Sequence, residues 1–195
     1  MGLVGRFQES DARKDAVALA QASAVSAVAP PGVNVVGWYF PVEFDPTWDV
    51  APSVIDALAS LPRPLWVSVY DRTNLGPEQL VLHLQRWLPP DVGVFWQDGV
   101  GVHARDAKTS AQYIHAMIEH LGHSRVRVIA EAFRPDVAGG FRSANVAELT
   151  EQLAHYKGLS IYLFEGPTYI TPELISELMS QPKVRTPSSR QGLAE

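Results

Sequence analysis

The period of apolar and polar positions changes repeatedly along the chain, and each change marks an element. Five short apolar runs read as strands: Val33–Phe40, Pro64–Tyr70, Val92–Trp96, Arg125–Phe133 and Leu159–Phe164. Between them lie stretches with helical spacing. One runs from a cap at Ser10 or Asp11 to about Val28, and one from a cap at Asp49 to about Leu61, with Pro52 in its first turn. Others span Gly76 to Leu88, Asp106 to Leu121 and Ser143 to Lys157. A last helix starts near Thr171, with Pro172 at its first position. Gly2–Phe7, GLVGRF, reads as a further, first strand. The polar tail from Gln181 onward is expected to fray.

Strands alternating with helices across short loops predict an α/β fold with a parallel sheet and right-handed crossovers. The chain is expected to form one domain over 1–180 with a tail over 181–195. A (β/α) barrel and an open doubly wound sheet both fit this rhythm. The dinucleotide fingerprint G-x-G-x-x-G follows none of the strands, and there is no phosphate-binding P-loop motif. Strand after strand ends instead on an ionisable residue: Glu43, Asp71, Asp98, Glu131 and Glu165. The top face of a TIM barrel collects side chains in that way. With about six strands in place of eight, the expected architecture is TIM-barrel-like and incomplete.

Composition narrows the function. The chain has 195 residues, a net charge of −5 and no cysteine. It has no cluster of Lys or Arg, which argues against nucleic acid or an anionic membrane surface as partner. The absence of cysteine excludes disulfides, thiolate catalysis and Cys-ligated metals. No apolar run approaches the roughly 20 residues of a membrane span. Ala16–Pro30 has small-residue triplets like those of a signal peptide, but Gln21, Ser23 and Ser26 interrupt it and Glu9, Asp11 and Asp15 precede it. It reads as an amphipathic helix. The chain as encoded is expected in the cytoplasm, and in the periplasm or outside the cell if a further segment precedes it.

The strand-end carboxylates suggest glycoside hydrolysis, which needs two carboxyl groups flanking one bond. Glu43 follows WYFPV and Glu131 sits within IAEAF, apolar surroundings that raise a carboxyl pKa. Trp38, Tyr39, Trp48, Tyr70, Trp96, Phe133 and Tyr169 offer faces on which sugars stack, while Trp66, Trp87 and Trp96 suit the core. A plainer reading pairs the acids with Arg72, Arg105 or Arg134 as structural ion pairs. Asp98, His103 and Asp106 lie close enough in sequence to hold a divalent cation, but the spacing is unspecific. No G-x-S-x-G elbow is present. Neither a metal nor another cofactor is expected.

Taken in order, GWYFPVE, WVSVY, FWQDGVGV, IAEAF and YLFEGPTYITP resemble consecutive segments of a sequence-defined family of TIM-barrel glycoside hydrolases. The resemblance covers roughly Val33 to Pro172. It implies that the strand ending at Glu43 is the barrel's fourth and the one carrying Glu131 its seventh. By analogy with retaining glycosidases, Glu43 is then the acid/base and Glu131 the nucleophile. Trp38, Tyr39, Tyr70, Gln97, Asp98, His103, Phe133, Glu165 and Tyr169 become candidates for holding a carbohydrate substrate. The first two strands of such a barrel are missing, with Gly2–Phe7 standing where the third belongs. The expected molecule is a truncated product, a fragment, or a barrel whose open edges are covered by a second copy or a partner chain. A non-catalytic carbohydrate-binding or polysaccharide-assembly protein is the alternative.

Overall fold

The structure, a computed structural model, describes residues 1–180; the tail expected to fray lies outside them. Five parallel strands form the main sheet in the order β1-β2-β3-β4-β7. They are β1 (Trp38–Phe44), β2 (Leu65–Val69), β3 (Val92–Gln97), β4 (Val126–Glu131) and β7 (Ile161–Phe164). A small antiparallel hairpin, β5 (Phe133–Pro135) and β6 (Phe141–Ser143), interrupts the series after β4. Helices α3 (Pro52–Ala59), α4 (Pro77–Trp87), α5 (Ala107–Leu121) and α6 (Val146–Ala154) occupy the connections, and α7 (Pro172–Ser180) follows β7.

Neighbours in sequence are neighbours in the sheet, so each right-handed crossover moves the chain in the same direction and leaves its helix on the same face. The core follows from that. Phe40, Val67, Val94 and Trp96 on the strands pack with Val54, Leu58, Leu80, Leu84, Ile114 and Met117 of the helices in one cluster. Alternate residues of β1, Tyr39, Pro41 and Glu43, are only half-buried, because they point to the face without helices.

Several expectations are corrected. The predicted strand Gly2–Phe7 shrinks to a single bridge between Gly2 and Tyr39, and the sheet has five strands. Pairing stops there because the Val4 N–H donates to Ser23 Oγ rather than to the sheet. The strand expected at Val33–Phe40 begins at Trp38 and continues to Phe44. The single helix expected before it is two, α1 (Glu9–Lys14) and α2 (Ala16–Ser26), which meet at Asp15. Ser10 and Asp11 lie inside α1, whose N-cap is Gln8, and α3 is capped by Ala51 rather than Asp49. Ser143 ends β6, and α6 starts three residues later, behind an Asn145–Glu148 capping box. Asp106 does cap α5, accepting from the Thr109 N–H.

Two glycines shape the open face. A Cβ on Gly37 would lie 2.1 Å from Trp66 Cζ3, and one on Gly93 would lie 2.3 Å from Trp66 Nε1. Trp66 therefore lies flat across both positions, with the Arg127 guanidinium 3.6 Å above its ring. Gly93→Ala is expected to displace the indole and cost about 1–3 kcal/mol in urea unfolding. An unchanged midpoint would show that Trp66 moves freely.

Candidate functional site

The face without helices carries a groove of about 420 Å³, within the usual range for small-ligand sites. Tyr39, Phe95, Tyr162 and Phe164 give it aromatic walls, and Glu9, Glu43, Ser68 and Gln97 give it polar groups. The aromatic rings form a chain: Tyr39 meets Phe95 edge-on at 5.2 Å, and Phe95 meets Tyr162 at 4.9 Å. Tyr162 and Phe164 remain 44% and 43% exposed, so part of each ring is open to a ligand, with Arg127 donating to the Tyr162 hydroxyl at 3.2 Å.

Glu43 sits at one end of this groove. Its carboxylate lies 3.4 Å from Arg13 Nη2, while its own N–H donates to Glu9 Oε1 at 2.8 Å. Arg13 Nε also approaches Glu9 Oε1, at 3.5 Å, so two carboxylates share one guanidinium. Burial, and then the Glu9 charge, push the Glu43 carboxyl up to about 7 despite Arg13. Glu9 is itself raised, chiefly by burial. A carboxyl of this kind is partly protonated near neutrality and able to donate a proton.

Glu131 is different. It ends β4, is fully buried, and has both oxygens engaged. Gln97 Nε2 donates to Oε1 at 2.9 Å and the Val102 N–H to Oε2 at 3.0 Å. Gln97 thus stands between Glu131 and the groove. Three strand spacings separate β1 from β4, roughly 14 Å along the sheet, and any curl shortens that path. Tyr70 feels the charge of both acids. Its hydroxyl is raised first by burial, lowered by Arg105, and raised again by the charges of Glu131 and Glu43.

Asp98 is fully buried and accepts four hydrogen bonds. The Val100 and Glu131 N–H groups reach Oδ1, and Gln152 Nε2 and the Tyr156 hydroxyl reach Oδ2 at 2.5 and 3.0 Å. Burial nevertheless raises it to about 6. The side chain pins the β3–α5 loop to β4 and α6, and it does not line the groove. Asp71 is likewise buried and accepts from the Tyr113 hydroxyl at 2.8 Å.

The remaining candidates are dispersed. Tyr39 and Gln97 line the groove. Trp38 is buried on the helix side in the main core. Tyr70 is buried beneath the Arg105 guanidinium. His103 lines a separate cavity beside α5. Phe133 and Tyr169 pack together at 5.0 Å, and Glu165 Oε1 accepts from the Thr168 hydroxyl. Arg72, Arg105 and Arg134 form no ion pair with the strand-end acids among the described residues; Arg13 takes that place at Glu43. Asp98, His103 and Asp106 do not converge on one point, and no group of three His, Asp or Glu suited to a metal occurs among the described residues. No described helix is long and apolar enough to cross a membrane.

Sequence reasoning missed Glu9, Arg13, Tyr162 and Phe164. The two aromatics were legible as alternate positions of IYLF. Nothing in the sequence links Glu9 to Glu43, 34 residues away.

The chain is thus an α/β protein with a helix-covered face and an open, aromatic one. No family model, curated protein or solved structure matches it.

Proposed function

We propose that this chain is a glycoside hydrolase, built on an arc of a (β/α) barrel and binding an oligo- or polysaccharide on its open face. One observation carries the reading: a carboxyl raised to about 7, Glu43, sits at the end of a groove walled by Tyr39, Phe95, Tyr162 and Phe164. Sugars present apolar ring faces to aromatics and hydroxyls to polar groups, and a glycosidic oxygen needs a proton donor to leave. Glu43 supplies that proton. Glu131, three strands along the sheet, is the second carboxylate, which attacks the anomeric carbon or activates water once Gln97 and the Val102 loop yield access. The motif resemblance supports the same pair.

Binding is the first test. Tyr162→Ala is expected to weaken an oligosaccharide ligand by about 1 kcal/mol, roughly fivefold in Kd by calorimetry. Equal affinity in the variant, or no binding across a broad oligosaccharide panel, would remove the groove from the account.

The burial of Glu131 favours a second reading. With both oxygens held by Gln97 and Val102 and none of its surface exposed, the chain would bind glycans without turning them over. The outer edge of β7, which pairs only with β4 among the described residues, would then suit a strand from a second copy or a partner chain.

A further inference from the structure

A second cavity, of about 590 Å³, opens between the first turn of α5 and helix α6. Two arginines line it, Arg105 and Arg134, only 8% and 7% exposed. Neither lies within ion-pair distance of a carboxylate among the described residues. Arg105 donates to Asn74 Oδ1, to the Asp98 carbonyl and to the Asp71 carbonyl. Arg134 donates to the carbonyls of Glu131 and Phe133 and to Gln152 Oε1. A guanidinium has five N–H donors, so two on each remain unfilled. Arg105 is also flanked by the rings of Tyr70, Trp96 and Tyr113 at 5.0–5.2 Å, which answer its charge in part. Arg134 is answered only by neutral oxygens; that is costly, and an anion in the cavity would relieve the cost.

The rest of the lining agrees with that. Lys108 is exposed at the rim, and Ala107 and Lys108 belong to the first turn of α5, where backbone N–H groups lack helical partners. His103 and His155 also face the cavity. Three acids border it, and two are already committed. Asp106 caps α5 through the Thr109 N–H. Glu148 pairs with Arg142 through both oxygens and accepts from the Asn145 N–H, which holds it down at about 2. Glu151 remains as the one uncommitted acid among these residues.

We propose that this cavity binds a phosphoryl group, free or carried on a small molecule, through Arg134, Lys108 and the N-terminus of α5, with Arg105 adding positive charge from behind. A phosphoryl group presents three strong acceptor oxygens, enough to engage Arg134, Lys108 and the α5 terminus together, whereas a carboxylate presents two. The site is distinct from the aromatic groove and does not depend on the reading given to it.

The test is calorimetric titration of the full chain with inorganic phosphate, with glucose 6-phosphate and, as a carboxylate control, with glucuronate. Phosphate is expected to saturate one site with Kd on the order of 1 mM. Lys108→Ala, an exposed change that leaves the core intact, is expected to weaken it about fivefold, a loss on the order of 1 kcal/mol. Arg134→Lys is expected to weaken it further. A sugar phosphate binding at least about tenfold more tightly than phosphate would assign the group to a phosphomonoester, and equal affinities would assign it to free phosphate. The proposal is overturned by the absence of saturable binding up to about 10 mM. Affinity unchanged in Lys108→Ala, or glucuronate binding as tightly as phosphate, would also overturn it.

Discussion

Asp98→Ala is expected to destabilise the chain by about 3–5 kcal/mol, a large part of the 5–15 kcal/mol that holds a typical domain folded. The side chain accepts from four donors: two backbone N–H groups, the Tyr156 hydroxyl and the Gln152 amide, which also reaches the Glu131 carbonyl at 3.3 Å. Each belongs to a buried residue, so truncation takes an acceptor from all four at once, and Gln152 keeps the Glu131 carbonyl. Asp98→Asn keeps the volume but turns an NH2 group toward at least one donor, and is expected to recover only part of the loss. Urea unfolding of the three proteins measures this. A midpoint for Asp98→Ala within about 0.5 kcal/mol of wild type would mean that the loop is not pinned there. The effect belongs to folding and not to chemistry, which is the role the structure gives to the most conspicuous strand-end acid.

Glu43→Gln is expected to lower turnover of a glycoside by about 10²–10⁴-fold while leaving binding nearly intact, since the amide keeps the shape and loses the transferable proton. In wild type, activity is expected to fall as the pH rises through about 7, where Glu43 loses its proton. Stability carries the same sign. Burial and the Glu9 charge raise the folded pKa above the ordinary 4.5, so the neutral form is favoured in the fold. The contribution is fully present below about 4.5 and disappears as the pH rises through about 7, an effect on the order of 2 kcal/mol. Glu43→Gln is expected to flatten that slope. Glu9→Gln removes the neighbouring charge and is expected to move the alkaline limb to lower pH. A limb that stays put in Glu9→Gln would mean that desolvation alone sets the Glu43 proton.

The parallel sheet was legible because its strands are written as short apolar runs punctuated by proline, glycine and charge. VGVFWQDG shows the pattern best: Val94 and Trp96 enter the core, and Asp98 turns inward at the strand's end. The first strand was misplaced because VNVV in Val33–Val36 is as apolar as WYFPVEF, yet only the latter carries the alternation of a sheet with one open face. Glu43 was found by its place at a strand end. The partners that set its proton were not, because Glu9 and Arg13 arrive from a helix 30 or more residues earlier. Asp98 and Glu131 looked like equivalents of Glu43 in sequence. Their burial is decided by Gln152, Tyr156 and Val102, whose positions follow from packing and not from local pattern.

The most direct measurement of the account is the release of reducing ends from a panel of aryl glycosides and defined oligosaccharides by the full chain and by Glu43→Gln across pH. The expected result is turnover on at least one substrate, an alkaline limb near 7, and loss of about a hundredfold or more in the variant. Binding without turnover on every substrate, or turnover that Glu43→Gln leaves unchanged, would contradict the assignment of hydrolysis to this groove.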